Sequence, residues 1–173
     1  MAASSAGSTG LEKRSTRRLD GFSEVERGAW GGLLAIQGGL VRRVEEDLDQ
    51  HSRLSHPEFE VLLRLSRAEE RMARIQDLAS QSILTRSGVS RVVERLERKG
   101  LVRRTPAVED GRGAYAELTA EGAERFHEAA VRHIAFVRST FLNRFTTDEL
   151  RTLAGLLARA NDQIRPANPR RRP

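Results

Sequence analysis

The sequence predicts a mainly α-helical protein carrying one small β-hairpin, and three observations support that reading. Apolar residues recur every three or four positions through most of the chain; two short helices joined by a tight turn occupy its centre; a glycine-tipped, alternating segment follows them directly. The 173 residues fit one domain with arms, and a charged fraction of 31% suits a soluble chain. No apolar run approaches the roughly 20 residues of a spanning helix. The small, polar, basic start "MAASSAGSTGLEKRSTRR" lacks the hydrophobic stretch of a secretory signal, so a cytoplasmic location is expected. With zero cysteines, disulfides and thiol-based sensing are excluded.

The net charge of +6 is unevenly spread: +3 over residues 1–19, −5 over 20–70, +4 over 71–119, zero over 120–162 and +4 over 163–173. Such clustering favours a polyanionic partner, although basic tails alone often serve only as solubilising ends.

Residues 1–19 hold almost nothing to bury and are expected to be disordered. From Ser23 to about Gln50 the spacing of Trp30, Leu33, Leu34, Gln37, Leu40, Val41, Val44 and Leu48 predicts a long helix. Gly28, Gly31, Gly32, Ala35, Gly38 and Gly39 form a small-residue stripe on its other side. Each interior glycine costs about 1 kcal/mol relative to alanine. The stripe therefore implies either close approach of another helix or a kinked, broken first helix.

"SHPE", Ser55 to Glu58, is a capping box with Pro57 in the first turn, opening a helix that carries Phe59, Leu62, Leu63 and Leu65. "RMARI" reads as a short extended connection, and "QDLASQS" as a two-turn helix with Leu78 and Ala79 inward. The next helix runs from an N-cap at Thr85 to a stop at Gly100, with Arg98 and Lys99 complementing its negative end. Val89, Val92, Val93 and Leu96 stand at i, i+3, i+4 and i+7, which leaves Arg86, Ser87, Ser90, Arg91 and Glu94 opposite. That face suits contacts to base edges and phosphates, or is simply a solvated surface.

"LVRRT" and "AYAEL" then predict two strands, with Glu109, Asp110, Gly111, Arg112 and Gly113 at the tip between them. Helix, turn, helix and basic hairpin make a winged helix-turn-helix. In that arrangement the second helix takes a major groove and Arg112 reaches the neighbouring minor groove.

The stretch "LASQSILTRSGVSRVVERLERKGLVRRTPAVEDGRGAYAELTAEG" resembles the winged helix-turn-helix of the MarR family of bacterial transcription regulators. The likeness rests on the D-x-R wing motif as Asp110 and Arg112, the closing L-T as Leu118 and Thr119, and the following glycine, Gly122, and covers roughly residues 25–165. The resemblance implies an obligate homodimer reading a pseudo-palindrome in double-stranded DNA, and a ligand pocket between the DNA-binding lobe and the dimer helices.

The expected organisation is a basic arm over 1–19, supporting and dimerising helices over 20–70, the winged lobe over 71–119, dimerisation helices over 120–165 and a basic tail over 166–173. In the C-terminal third, Phe126, Ala130, Ile134, Val137, Phe141 and Phe145 predict one continuous helical stripe. "TTDE", Thr146 to Glu149, predicts a second capping box ahead of Leu150, Leu153, Leu156, Leu157, Ala160 and Ile164. These stripes exceed what the central lobe covers, so a two-fold dimer is expected over a monomeric bundle.

The DNA-contact set is therefore Thr85, Arg86, Ser87, Ser90, Arg91, Arg104 and Arg112, with Asp110 as a wing brace. Trp30, with Arg27 or Arg64, is read either as a pocket for a small anionic effector or as a structural anchor. The histidines, His51, His56, His127 and His133, are not spaced for metal binding on one face. No nucleophile and base pairing, phosphate loop or metal-ligand spacing points to an enzyme, and no cofactor or membrane partner is expected. A ligand-responsive regulator, read as a repressor, and a sequence-tolerant architectural DNA binder both fit this pattern.

Overall fold

The first helix, α1, runs uninterrupted over Glu24–Ser52, so the broken-helix reading of its glycine stripe is overturned. Its start is a capping box: the Ser23 N–H donates to Glu26 Oε2 at 2.7 Å, and the Glu26 N–H donates to Ser23 Oγ at 3.3 Å. The computed structural model describes residues 21–80, 82, 84–107 and 113–164. The arm over 1–19 and the tail over 166–173 lie outside them, as do Asp110 and Arg112. The chain divides into two units after Arg43. In the first unit a Cβ added at Gly28, Gly31, Gly32, Gly38 or Gly39 would meet nothing within 4 Å, and Trp30, Leu33, Leu34 and Ile36 are about half exposed.

The second unit begins with the last turns of α1, where Val44 and Leu48 are buried. Helix α2 follows over His56–Arg67, opened by the Ser55/Glu58 capping box with Pro57 in its first turn. A 3₁₀ turn over Glu69–Arg71 leads to strand β1, Met72–Arg74. Helix α3 spans Ile75–Ser80 and α4 spans Arg86–Arg98. Strands β2, Val102–Pro106, and β3, Ala114–Leu118, form the hairpin. Helix α5 covers Ala120–Thr140, a 3₁₀ turn covers Leu142–Arg144, and α6 covers Thr147–Ile164.

The centre of the core is built by α1, α2, α4 and the turn before α2: Leu48, Leu54, Leu62, Leu65, Val89, Val93 and Leu96 are almost completely inaccessible. Phe59 of α2 packs its ring against Phe126 and His133 of α5, with centroids 5.5 and 4.8 Å apart.

The sheet extends the expected hairpin by one strand. "RMARI" not only runs extended; its Met72–Arg74 segment pairs antiparallel with β3 in the order β1-β3-β2, with Ala73 opposite Ala116. β3 is thereby central, and its Ala116 and Leu118 turn into the core while Tyr115 and Glu117 stay half-buried.

The stripe assigned to the fifth helix needs correction. Helix α5 stops at Thr140; Phe141 is its C-cap, and Phe145 lies beyond the 3₁₀ turn, its ring edge-on to Phe141 at 5.3 Å. The cause is the next helix start. Thr146 accepts from the Glu149 N–H at 3.3 Å while Glu149 accepts from the Thr146 N–H at 2.8 Å, and this capping box pins a new helix where the old one would have continued. Val131, Ile134, Leu156 and Leu157 remain about half exposed on α5 and α6.

Candidate nucleic-acid interface

Helix α4 carries the expected division of faces. Val89, Val92, Val93 and Leu96 are buried to 2% exposure or less. Arg86, Ser87, Arg91 and Glu94 are exposed, and Ser90 is half-buried. An amphipathic helix this complete on its inner side fixes which residues its outer side can offer. Thr85 caps it: extended at φ −66° and ψ 161°, it accepts from the Gly88 N–H at 3.2 Å. The Thr85 and Ser87 hydroxyls lie 3.2 Å apart, and Ser90 Oγ donates to the Arg86 carbonyl at 3.1 Å.

The other end of α4 is closed twice. Gly100 adopts φ +74°, its N–H donates to the Glu97 carbonyl at 2.9 Å, and the Leu101 N–H donates to the Leu96 carbonyl at 3.0 Å. This is a Schellman motif, with glycine at the left-handed position it favours. Beyond it, Lys99 Nζ donates to Glu58 Oε2 at 2.8 Å and to the Arg53 carbonyl at 3.0 Å. Arg95 Nε adds an ion pair to Glu58 Oε1 at 3.6 Å. Glu58 is only 2% exposed. Burial by itself disfavours its ionised form, but the Lys99 hydrogen bond, the Ser55 N–H and the Lys99 charge together outweigh it and hold the carboxyl below its usual range.

This clamp was missed in the sequence, where Glu58 read only as a capping residue and Lys99 only as a charge for the helix end. Lys99 is one of two lysines among 30 basic residues, a weak signal that a compact ammonium is wanted there.

The hairpin is tied to α4 and to itself. The Arg104 N–H donates to Glu97 Oε1 at 3.2 Å, and Arg104 Nη1 lies 3.7 Å from Glu94 Oε1. Across β2 and β3, Arg103 donates through Nε at 3.2 Å and Nη2 at 2.7 Å to Glu117 Oε2. At the hairpin base, Thr119 Oγ1 donates to the Gly100 carbonyl at 2.8 Å and the Thr119 N–H to the Leu101 carbonyl at 3.2 Å.

The structure thus brings Thr85, Arg86, Ser87, Ser90 and Arg91 together on one helix end, with Arg104 on the adjoining strand. Asp110 and Arg112 belong to the tip outside the described residues. The residues read as an effector site fall in both units. Trp30, 52% exposed, and Arg27, whose Nη1 donates to the Phe22 carbonyl at 2.6 Å, lie in the first unit; Arg64, paired with Glu60 at 3.1 Å, lies in the second. Among the described residues no cluster of three or more histidines and carboxylates could hold a metal ion, and no helix is long and apolar enough to cross a membrane.

Two short helices with an outward basic face, backed by a three-stranded sheet, define a winged helix-turn-helix protein. The MarR family model matches residues 54–113. The chain is similar to AbsC, a MarR family transcriptional regulator from Streptomyces coelicolor, with 31% identity, a TM-score of 0.77 and coverage of 83% of this chain and 96% of AbsC. It is also similar to Sco3205 from the same organism, solved in complex with DNA, with 27% identity, a TM-score of 0.79 and coverage of 84% and 95%. The HTH-type transcriptional regulator FarR of Neisseria gonorrhoeae is 30% identical over 97 residues, and the match spans 56% of this chain and 64% of FarR. The chain belongs to the MarR family of transcriptional regulators.

Proposed function

We propose that this protein is a sequence-specific, DNA-binding transcriptional regulator that acts as a homodimer, each recognition helix entering one major groove of a pseudo-palindromic operator. The observation that carries this reading is the face of α4: a wholly buried apolar side opposite an exposed Arg86, Ser87 and Arg91, in a fold shared with the DNA-bound Sco3205. Arg86 and Arg91 are the base readers, Thr85, Ser87 and Ser90 support the helix N-terminus against the backbone, Arg104 stands midway along the first wing strand and Arg112 probes the minor groove with Asp110 as its brace. Exposed apolar side chains on α5 and α6 fit burial against a second copy.

Competition between an operator and unrelated duplex at physiological salt tests this reading, because an architectural binder holds both equally. Arg86→Ala or Arg91→Ala is expected to reduce discrimination by roughly 1–3 kcal/mol for a lost bidentate base contact. A uniform loss on every duplex would reassign that arginine to phosphate.

Regulation by a small anionic ligand is the second element of the reading, with Trp30 and Arg27 as its contacts. Candidate anions that release the protein from DNA are expected to quench the fluorescence of Trp30, the sole tryptophan. Release without quenching would place the effector elsewhere.

A further inference from the structure

A cavity of about 270 Å³ opens between β1, α3, α4 and the two strands of the hairpin, and its lining includes Arg74, Gln76, Arg86, Ser90 and Arg104. Three arginines, Arg74, Arg86 and Arg104, line this space from three elements. Arg74 is oriented by Tyr115, donating through Nε to its hydroxyl at 2.9 Å with the guanidinium carbon 5.2 Å from the ring centroid. Arg104 is oriented by Glu94. We propose that this cavity is a phosphate seat that grips the DNA backbone, with Arg74 and Gln76 as members beyond those of the recognition helix and wing. The inference rests on the DNA-binding reading above.

An oxyanion set among these arginines is attracted by the charge of each. Guanidinium forks match the oxygens of a phosphate two at a time, and the Gln76 amide adds a neutral donor. At about 270 Å³ the space has room for a phosphate group with bridging waters. Position supplies the remaining argument. A helix in a major groove and a hairpin reaching the adjacent minor groove straddle the sugar-phosphate strand that separates the two grooves. The cavity lies between those elements, where that strand has to pass. Its contribution is independent of base sequence: it sets register and affinity, while the outer face of α4 reads the bases.

The test compares full-length wild type with Arg74→Ala and Gln76→Glu on operator and unrelated duplex over a salt series. Each variant is expected to lose roughly three- to tenfold in affinity by the same factor on both duplexes, and Arg74→Ala to flatten the slope of log K against log salt by about one. Arg74→Ala also removes the Tyr115 partner. Gln76→Glu leaves that pair in place and sets a carboxylate in the cavity, so a folding defect in the first variant does not mask the second. Unchanged affinity and slope in both variants overturn the seat; a loss confined to the operator also overturns it, making Arg74 a base reader. A parallel titration of inorganic pyrophosphate into DNA-free protein separates the sources of phosphate. Binding that both variants lose, with unaltered DNA slopes, would assign the cavity to a free phosphate compound and overturn the DNA assignment. Failure of the wild type to prefer its operator would count against the regulator reading alone, since the salt slopes of the variants on any duplex still report the seat.

Discussion

Gly122→Ala is expected to destabilise the fold by about 3 kcal/mol or more, at or beyond the upper end of overpacking substitutions. A Cβ at position 122 would stand 2.0 Å from the Leu101 carbonyl oxygen, 2.8 Å from its carbon and 3.0 Å from Leu118 Cδ1. Two of those three atoms are backbone, so no rotamer change relieves the contact; the start of α5 must move away from the hairpin base. That movement would pull Thr119 from Gly100 and Leu101, the bonds that join β3 and α5 to the end of α4. Thermal unfolding checks the prediction: a loss of this size corresponds to a fall in Tm of roughly 6–12 °C for a chain of this length. A Tm within 2 °C of wild type would show that α5 slides off the hairpin base at little cost.

Glu58→Ala is expected to cost about 2–4 kcal/mol, from a lost cap worth about 1 kcal/mol and a lost hydrogen bond to a charged group worth about 1.5–3 kcal/mol. Lys99 and Arg95 are each about two-fifths exposed and stay hydrated, so neither is stranded as a buried charge. Glu58→Gln keeps the reach to the Ser55 N–H but loses the charge, and an intermediate effect is expected. The pH dependence separates cap from charge. The folded carboxyl titrates below its unfolded value, so its stabilisation is complete above the unfolded pKa of about 4.3 and disappears as pH falls through the depressed folded value. The gap between wild type and Glu58→Gln in urea midpoint should therefore be widest near neutrality and narrow below about pH 4. A gap that held constant into acid would mean that the ionic partnership with Lys99 adds nothing.

These two positions illustrate what local sequence can disclose. Gly122 and Thr119 stood out as motif residues, and the period of Val89, Val92, Val93 and Leu96 announced the inner face of α4, because both are signals within a few residues of one another. The capping boxes at Ser55 and Thr146 were legible for the same reason. Glu58 and Lys99 lie 41 positions apart, and nothing local advertises their meeting. β1 is three residues long, too short for alternation to declare it, and becomes a strand only because β3 offers an unpaired edge. Phe145 fell on the extrapolated stripe of α5, yet the Thr146 capping box behind it won the competition for the chain. The glycine stripe of α1 could be located but not explained, since a propensity cost says only that something beyond the helix compensates.

The corner between α4 and β2 leaves little slack. The backbone N–H groups of Lys99, Gly100 and Leu101 are bound within α4, and the carbonyls of Gly100 and Leu101 are taken by Thr119. Reader and wing are thus fastened as one tool, whose handle is the start of α5. A signal arriving through the long helices would tilt that tool whole instead of loosening its grip on individual bases. In a two-fold assembly the quantity so adjusted is the distance between the two tools, set against an operator whose half-sites repeat every 34–36 Å or so. Induction on this scheme detunes spacing and leaves the letters of each half-site as readable as before.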